Sequence, residues 1–164
     1  MRRFIRLAAV TAALSLVLPV AAVQATPSLG VHFDVPTQFA PGDAGPTFGP
    51  FTATGPAVDE GLICASGDTI DVFSKASAFM SPVFMGINFQ VVKEFSCDDG
   101  SGVFYVKLQV RIDAKGDNFT WTIVGGTSDY ARLRGTGSGY GLPIFDGDLQ
   151  TGVLDVYDGG VHVD

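Results

Sequence analysis

The chain has 164 residues, with 10 basic and 17 acidic side chains, a net charge of −7 and 46% hydrophobic residues. That length suits one domain with a sizeable core. The acidity excludes nucleic acid and anionic membrane surfaces as natural partners, because both repel such a chain.

The first 25 residues, MRRFIRLAAVTAALSLVLPVAAVQA, set three arginines ahead of an apolar run and end it in small residues. This order predicts a secretory signal peptide cut after Ala25, with Ala22 as the alternative. The run from Leu7 to Val23 contains Thr11 and Pro19 and is shorter than the about 20 residues that a membrane span needs. Removing 25 of 164 residues leaves 139, and 7 basic residues then face 17 acids. The expectation is a secreted protein, extracellular or periplasmic, with no stable membrane insertion after cleavage.

Residues 26–58 hold six of the nine prolines. Proline lacks the donor that a central strand uses, so an extended, Pro/Gly-rich segment is expected, with short edge strands at best around VHFDV and FTATG. Phe33, Phe39, Phe48 and Phe51 favour draping this segment over the domain that follows, assigned to residues 59–164. Cys64 and Cys97 are the only cysteines. In an oxidising compartment the pair reads as one disulfide, since a metal pair would lack further thiols and a nearby histidine.

From Glu60 onward the pattern is strands separated by polar and glycine turns. A strand around TIDVF comes first. PVFMGINFQVVKEFSC then places Val83, Met85, Ile87, Phe89, Val91 and Phe95 on one face, with Lys93 interrupting the row. In GVFYVKLQVRID, Phe104, Val106, Leu108, Val110 and Ile112 alternate with Tyr105, Lys107, Gln109 and Arg111. CDDGSG joins these two strands as a hairpin turn. After AKGD, NFTWTIVGG puts Phe119, Trp121 and Ile123 on a shared face. SDYARLR is the one candidate for a short helical turn, and GYGLPIF, GVLDVYDG and the terminal VHV complete the strands. Seven or eight short strands, each with one apolar face, indicate a sandwich or a closed barrel.

Six glycines between Trp121 and Gly141 invite a chemical reading. A dinucleotide fingerprint starting at Gly135 fails, because Tyr140 takes its sixth position and no helix follows. The phosphate-loop ending is missing, and Ser138 lacks the flanking glycines of a nucleophile elbow. Gly135, Gly137, Gly139 and Gly141 alternate strictly, so in a strand they bare one face to a close neighbour. Tyr130 and Leu133 are the expected occupants of that face.

The segment GGTSDYARLRGTGSG resembles one shared by the allene oxide cyclase and dirigent barrel families, above all secreted bacterial allene oxide cyclase barrel-like proteins. Trp121, Gly125 to Thr127, Tyr130-Ala131 and Arg134-Gly135 carry the match. The hairpin upstream and LDVYDGGV downstream extend it over about residues 64 to 164. Ser128 stands where the family usually has another glycine. The resemblance implies an all-β fold, an eight-stranded antiparallel β-barrel. It transfers no catalytic residue, since the proline-rich region holds no match to the plant cyclases' acidic and polar cluster.

Other chemistry is sparse. His32 and His162 read as surface residues. DGDLQTGVLD departs from a calcium loop at Gln150 and Thr151, and Asp98 and Asp99 offer weak binding only. The sequon at Asn118 has no expected use. No cofactor and no metal are expected. Lys93 points inward near a mouth of the barrel, where solvent explains it better than an activated amine.

Two functions fit. One is a noncatalytic binding or interaction barrel whose interior, Met85, Ile87, Phe89 and Phe104 with Val106, Leu108, Phe119 and Trp121, packs solid or encloses a small apolar ligand. The other is an isomerase, cyclase or dirigent-like enzyme acting on a hydrophobic substrate in the barrel. The noncatalytic reading ranks first. A pKa-shifted buried acid or lysine in an open cavity would reverse that order. The oligomeric state is open: related barrels associate through sheet faces, while Lys107, Gln109 and Arg111 make an outward face suited to a monomer.

Overall fold

The structure, a computed structural model, describes residues 27–39, 47–80 and 85–164. The signal-peptide reading falls on residues outside these. Eight strands follow one another: β1 (Leu29–Gln38), β2 (Phe48–Thr54), β3 (Ser66–Met80), β4 (Met85–Cys97), β5 (Val103–Asp113), β6 (Gly116–Gly126), β7 (Leu133–Asp146) and β8 (Leu149–Val163). Each pairs antiparallel with the next, and β8 returns to β1, so the sheet closes into an up-and-down barrel. Closure leaves no sheet edge along the paired length of the barrel.

The N-terminal segment is extended, but as two full staves of the barrel and not as a drape over it. The closed sheet thus begins at Leu29, upstream of the boundary set at residue 59. The prolines are accommodated by a gap in pairing. β1 meets β2 at His32 to Asp34 and again at Gln38, and Pro36 and Pro50 lie in the stretch between.

Alternation decides what faces inward. Phe104, Val106 and Leu108 on β5 are buried, as are Phe119, Trp121 and Ile123 on β6. One end of the barrel is closed. A short helix, α1 (Pro56–Asp59), buries Ala57 there, and Ile63 and the disulfide Cys64–Cys97 sit beside it. Tyr130, on a single 3-10 turn (Ser128–Tyr130), is the plug. Its hydroxyl accepts the Cys64 N–H at 3.2 Å and lies 2.7 Å from Ser101 Oγ. Above it an aromatic cluster fills the barrel: Phe95 stacks on Phe104 at 4.9 Å, and Phe33 meets Trp121 and Tyr157 edge-on.

The glycine row of β7 faces this cluster, but its occupants are not Tyr130 and Leu133. The ring of Phe119 lies over Gly139, and that of Trp121 over Gly137. The reason is pairing: β6 sets Phe119 opposite Gly139 and Trp121 opposite Gly137, so the large rings lie on the bare positions beside them. The indole N–H donates to the Ser138 and Asp158 carbonyls. A Cβ at Gly137 would meet Trp121 ring atoms at 2.6 Å and press on the Asp158 carbonyl. Gly137→Val should therefore cost about 2 to 3 kcal/mol in chemical denaturation, with the Trp121 fluorescence altered in the native state. A variant as stable as the parent would disprove this packing.

Candidate functional site

The solid packing stops at about the level of Leu108 and Phe119. Beyond it, towards the β1–β2, β3–β4 and β5–β6 connections, the barrel opens into a cavity of about 480 Å³. Its walls are apolar: Phe89 and Val91 from β4, Val110 and Ile112 from β5, with Phe39 and Val153 across from them. A volume of this size suits a small molecule.

The polar residues of the cavity come from the inward rows of five strands and from the residue before β2. On β4, Lys93 follows Phe89 and Val91 in the row and is only 3% exposed. Its Nζ donates to Asp71 Oδ1 of β3 at 2.7 Å and to Thr47 Oγ1 at 2.7 Å. Asp71 Oδ2 accepts in turn from the Thr47 hydroxyl and N–H at 2.8 and 3.2 Å. Solvent at the mouth therefore does not explain Lys93. It is held in a buried ion pair with Asp71 and does not sit as a free surface lysine. On β1, Thr37 lines the cavity with its hydroxyl turned to the Val153 carbonyl at 3.0 Å.

Two further carboxyls complete the floor. Asp155 of β8 lies between Val153 and Tyr157 in the inward row. Burial pushes its carboxyl up to about 7; Lys93 opposes that shift, while Asp117 and Asp71 add to it. Asp117 of β6 stands one inward step before Phe119. Burial raises its carboxyl, and its Oδ1 is buried with no hydrogen-bond partner among the described residues. Beneath them Tyr157 is fully buried. Its hydroxyl has no partner among the described residues, and burial first, then Asp155, Asp71 and Asp117, raise it well above the usual tyrosine range.

Of the expected interior residues, Phe89, Leu108 and Phe119 line this cavity. Phe104, Val106 and Trp121 do not; they belong to the solid half, where each is at most 2% exposed. Ile87 is 40% exposed, beyond the cavity on the β3–β4 hairpin, and the Met85 side chain lies outside the described residues. The interior is thus filled at one end and open at the other. Sequence reasoning missed Asp71, Asp117 and Asp155. For Asp117 and Asp155 the available signal was parity, since Asp117 shares the inward row of Phe119 and Asp155 that of Val153 and Tyr157; on β3 parity misleads, because the apolar Ile70 and Val72 beside Asp71 face outward.

His32 and His162 are surface residues in separate clusters. His32 Nδ1 lies 2.7 Å from Asp158, and that hydrogen bond raises its pKa; His162 faces Asp164 at 3.4 Å.

No protein-family model and no curated protein matches the chain. Among solved structures, a protein of unknown function from the DUF3224 family of Shewanella oneidensis MR-1 is similar at a TM-score of 0.40 and 14% identity, over 85% of this chain and 98% of that one. Similarity at that level carries no argument about function.

Proposed function

We propose that the protein is an enzyme of the isomerase or cyclase kind, acting on a small, largely apolar molecule in the open half of its barrel. The carrying observation is Asp155, a carboxyl raised to about 7 in an apolar-walled cavity that also holds the buried Lys93. A carboxyl titrating near neutrality can take a proton from one atom of a substrate and return it to another, the chemistry of proton-transfer isomerisations and of acid- or base-assisted ring closures. Asp155 is the proton carrier in this reading. The Lys93–Asp71–Thr47 cluster supplies a fixed charge pair beside it, and the apolar walls orient the substrate and exclude water.

The order of the two readings is thereby reversed from the one drawn from sequence, for the reason stated there. A passive binding barrel would use the same cavity without turnover. The resemblance to allene oxide cyclase barrels supports the cyclase form of the proposal through GGTSDYARLRGTGSG alone. Export is part of the proposal as well. The disulfide is compatible with an oxidising compartment, and no helix among the described residues is long and apolar enough to cross a membrane.

An apolar extract of the protein's own source, incubated in D₂O with the parent and with Asp155→Asn, tests the reading. With the parent, at least one component should change its chromatographic retention or take up deuterium, and Asp155→Asn should slow that change by about 100-fold or more. A component bound in native mass spectrometry but left unchanged would replace catalysis with passive binding.

A further inference from the structure

The charges on the cavity floor do not balance. Among the described residues Lys93 is the one cation lining the cavity; it is paired with Asp71 at 2.7 Å and also acts on Asp155, so one ammonium stands against three carboxyls. No hydrogen bond within the described chain satisfies Asp117 Oδ1, and the Tyr157 hydroxyl just below is likewise without a partner. The other strands offer no ionisable group here: β1 contributes Thr37, β5 contributes Leu108 and Val110, and β7 presents Gly139 and Gly141. Gly141 leaves room for Asp117, whose Oδ2 lies 2.6 Å from where a Cβ would stand.

Buried polar atoms are satisfied in native proteins, by protein, water or ligand. Two carboxyls beyond the one that Lys93 pairs, under apolar walls, are complementary to one chemical group above others, a cation on an apolar body. We propose that the molecule bound in the open half is an apolar amine, whose ammonium sits between Asp117 and Asp155 and whose hydrocarbon part lies against Phe89, Val110, Ile112 and Phe119. A carboxylate ligand would face the same two acids and be repelled. A neutral ligand would supply no counter-charge, at most a hydrogen bond. The inference rests on the reading of the open half as a small-molecule site and adds the class of molecule.

Binding must then depend on pH through the floor. Asp155 takes up a proton as the pH falls through about 7, and the ammonium loses one of its two counter-charges. Affinity for an amine that stays charged should fall between pH 8 and pH 6, whereas a neutral analogue should be indifferent. Asp71 and Lys93, paired with each other, face Asp155 in both states.

Calorimetric titration with three matched probes, 1-naphthylmethylamine, 1-naphthylmethanol and 1-naphthoate, tests this. At pH 8 the amine should bind at least about tenfold tighter than the alcohol, as befits a charged hydrogen bond, and the naphthoate weakest of the three. Asp155→Asn should remove most of that preference, and Asp117→Asn should reduce it. Equal binding of amine and alcohol, or tighter binding of naphthoate, would overturn the amine proposal and leave the small-molecule reading standing. Failure of all three to bind would overturn both.

Discussion

Replacing Lys93 with methionine should destabilise the protein by about 3 to 5 kcal/mol at pH 7, measured by guanidinium unfolding. Methionine matches the length of the lysine stem, so little packing is lost. The cost comes from Asp71, which would keep only Thr47 as a partner at a site where its side chain is 10% exposed. Truncating one member of a buried pair leaves an uncompensated charge, which is far more damaging than replacing both members. The double variant Lys93→Met, Asp71→Leu should accordingly regain at least half of the loss. Lys93 also holds Asp155 down, so the single variant should move the Asp155 titration to still higher pH. A loss below about 1 kcal/mol would mean that water reaches the pair and that the cavity floor is not a low-dielectric site.

Asp155→Asn should act in the opposite direction and stabilise the fold at neutral and alkaline pH. The folded carboxyl titrates at about 7 against 3.8 for the unconstrained group. Between those values the native state binds more protons than the unfolded chain. Stability is thus fully present below about pH 4 and is lost as the pH rises through about 7. Asparagine has the shape of the acid and no charge to bury. The variant should match the parent near pH 4 and exceed it by on the order of 3 kcal/mol at pH 8, with most of the divergence between pH 4 and 7. Together with lost turnover, this is the mark of a functional group kept at the expense of stability. A variant less stable than the parent at pH 8 would show that Asp155 is a structural acid with a partner in the fold.

Much of the architecture was legible because a strand has a period of two. Phe104, Val106 and Leu108 against Tyr105, Lys107 and Gln109 define an inward and an outward face without any structure, and the hairpin at CDDGSG follows from its turn residues. The choice of a barrel over a sandwich did not follow from periodicity. It came from the resemblance in GGTSDYARLRGTGSG. Residues 26–58 were harder to place, because proline content argues against strands, whereas pairing around Pro36 and Pro50 depends on where two distant strands meet. The glycine row was correctly read as a bared face. Its occupants come from β6, whose register against β7 is a tertiary fact.

The candidate site was the least legible part. Lys93 stood out as a charge in an apolar row, yet its partner lies 22 residues away on β3, and Asp155 comes near it only when β8 closes the ring. Read along the chain, Asp117 looks like the polar start of a strand and Asp155 like one polar residue inside GVLDVYDG. Only the closed barrel sets them at one depth, beneath the same walls.

The open half of the barrel keeps an ionisable acid in a desolvated, ligand-sized cavity. A carbon-13 NMR titration of the Asp155 carboxyl in the parent protein, assigned by comparison with Asp155→Asn, tests this most directly. A midpoint near 7, moved to lower pH by 1-naphthylmethylamine, is the predicted result. A midpoint near 4 that no probe displaces would contradict it, and with it both the proton-transfer reading and the amine site.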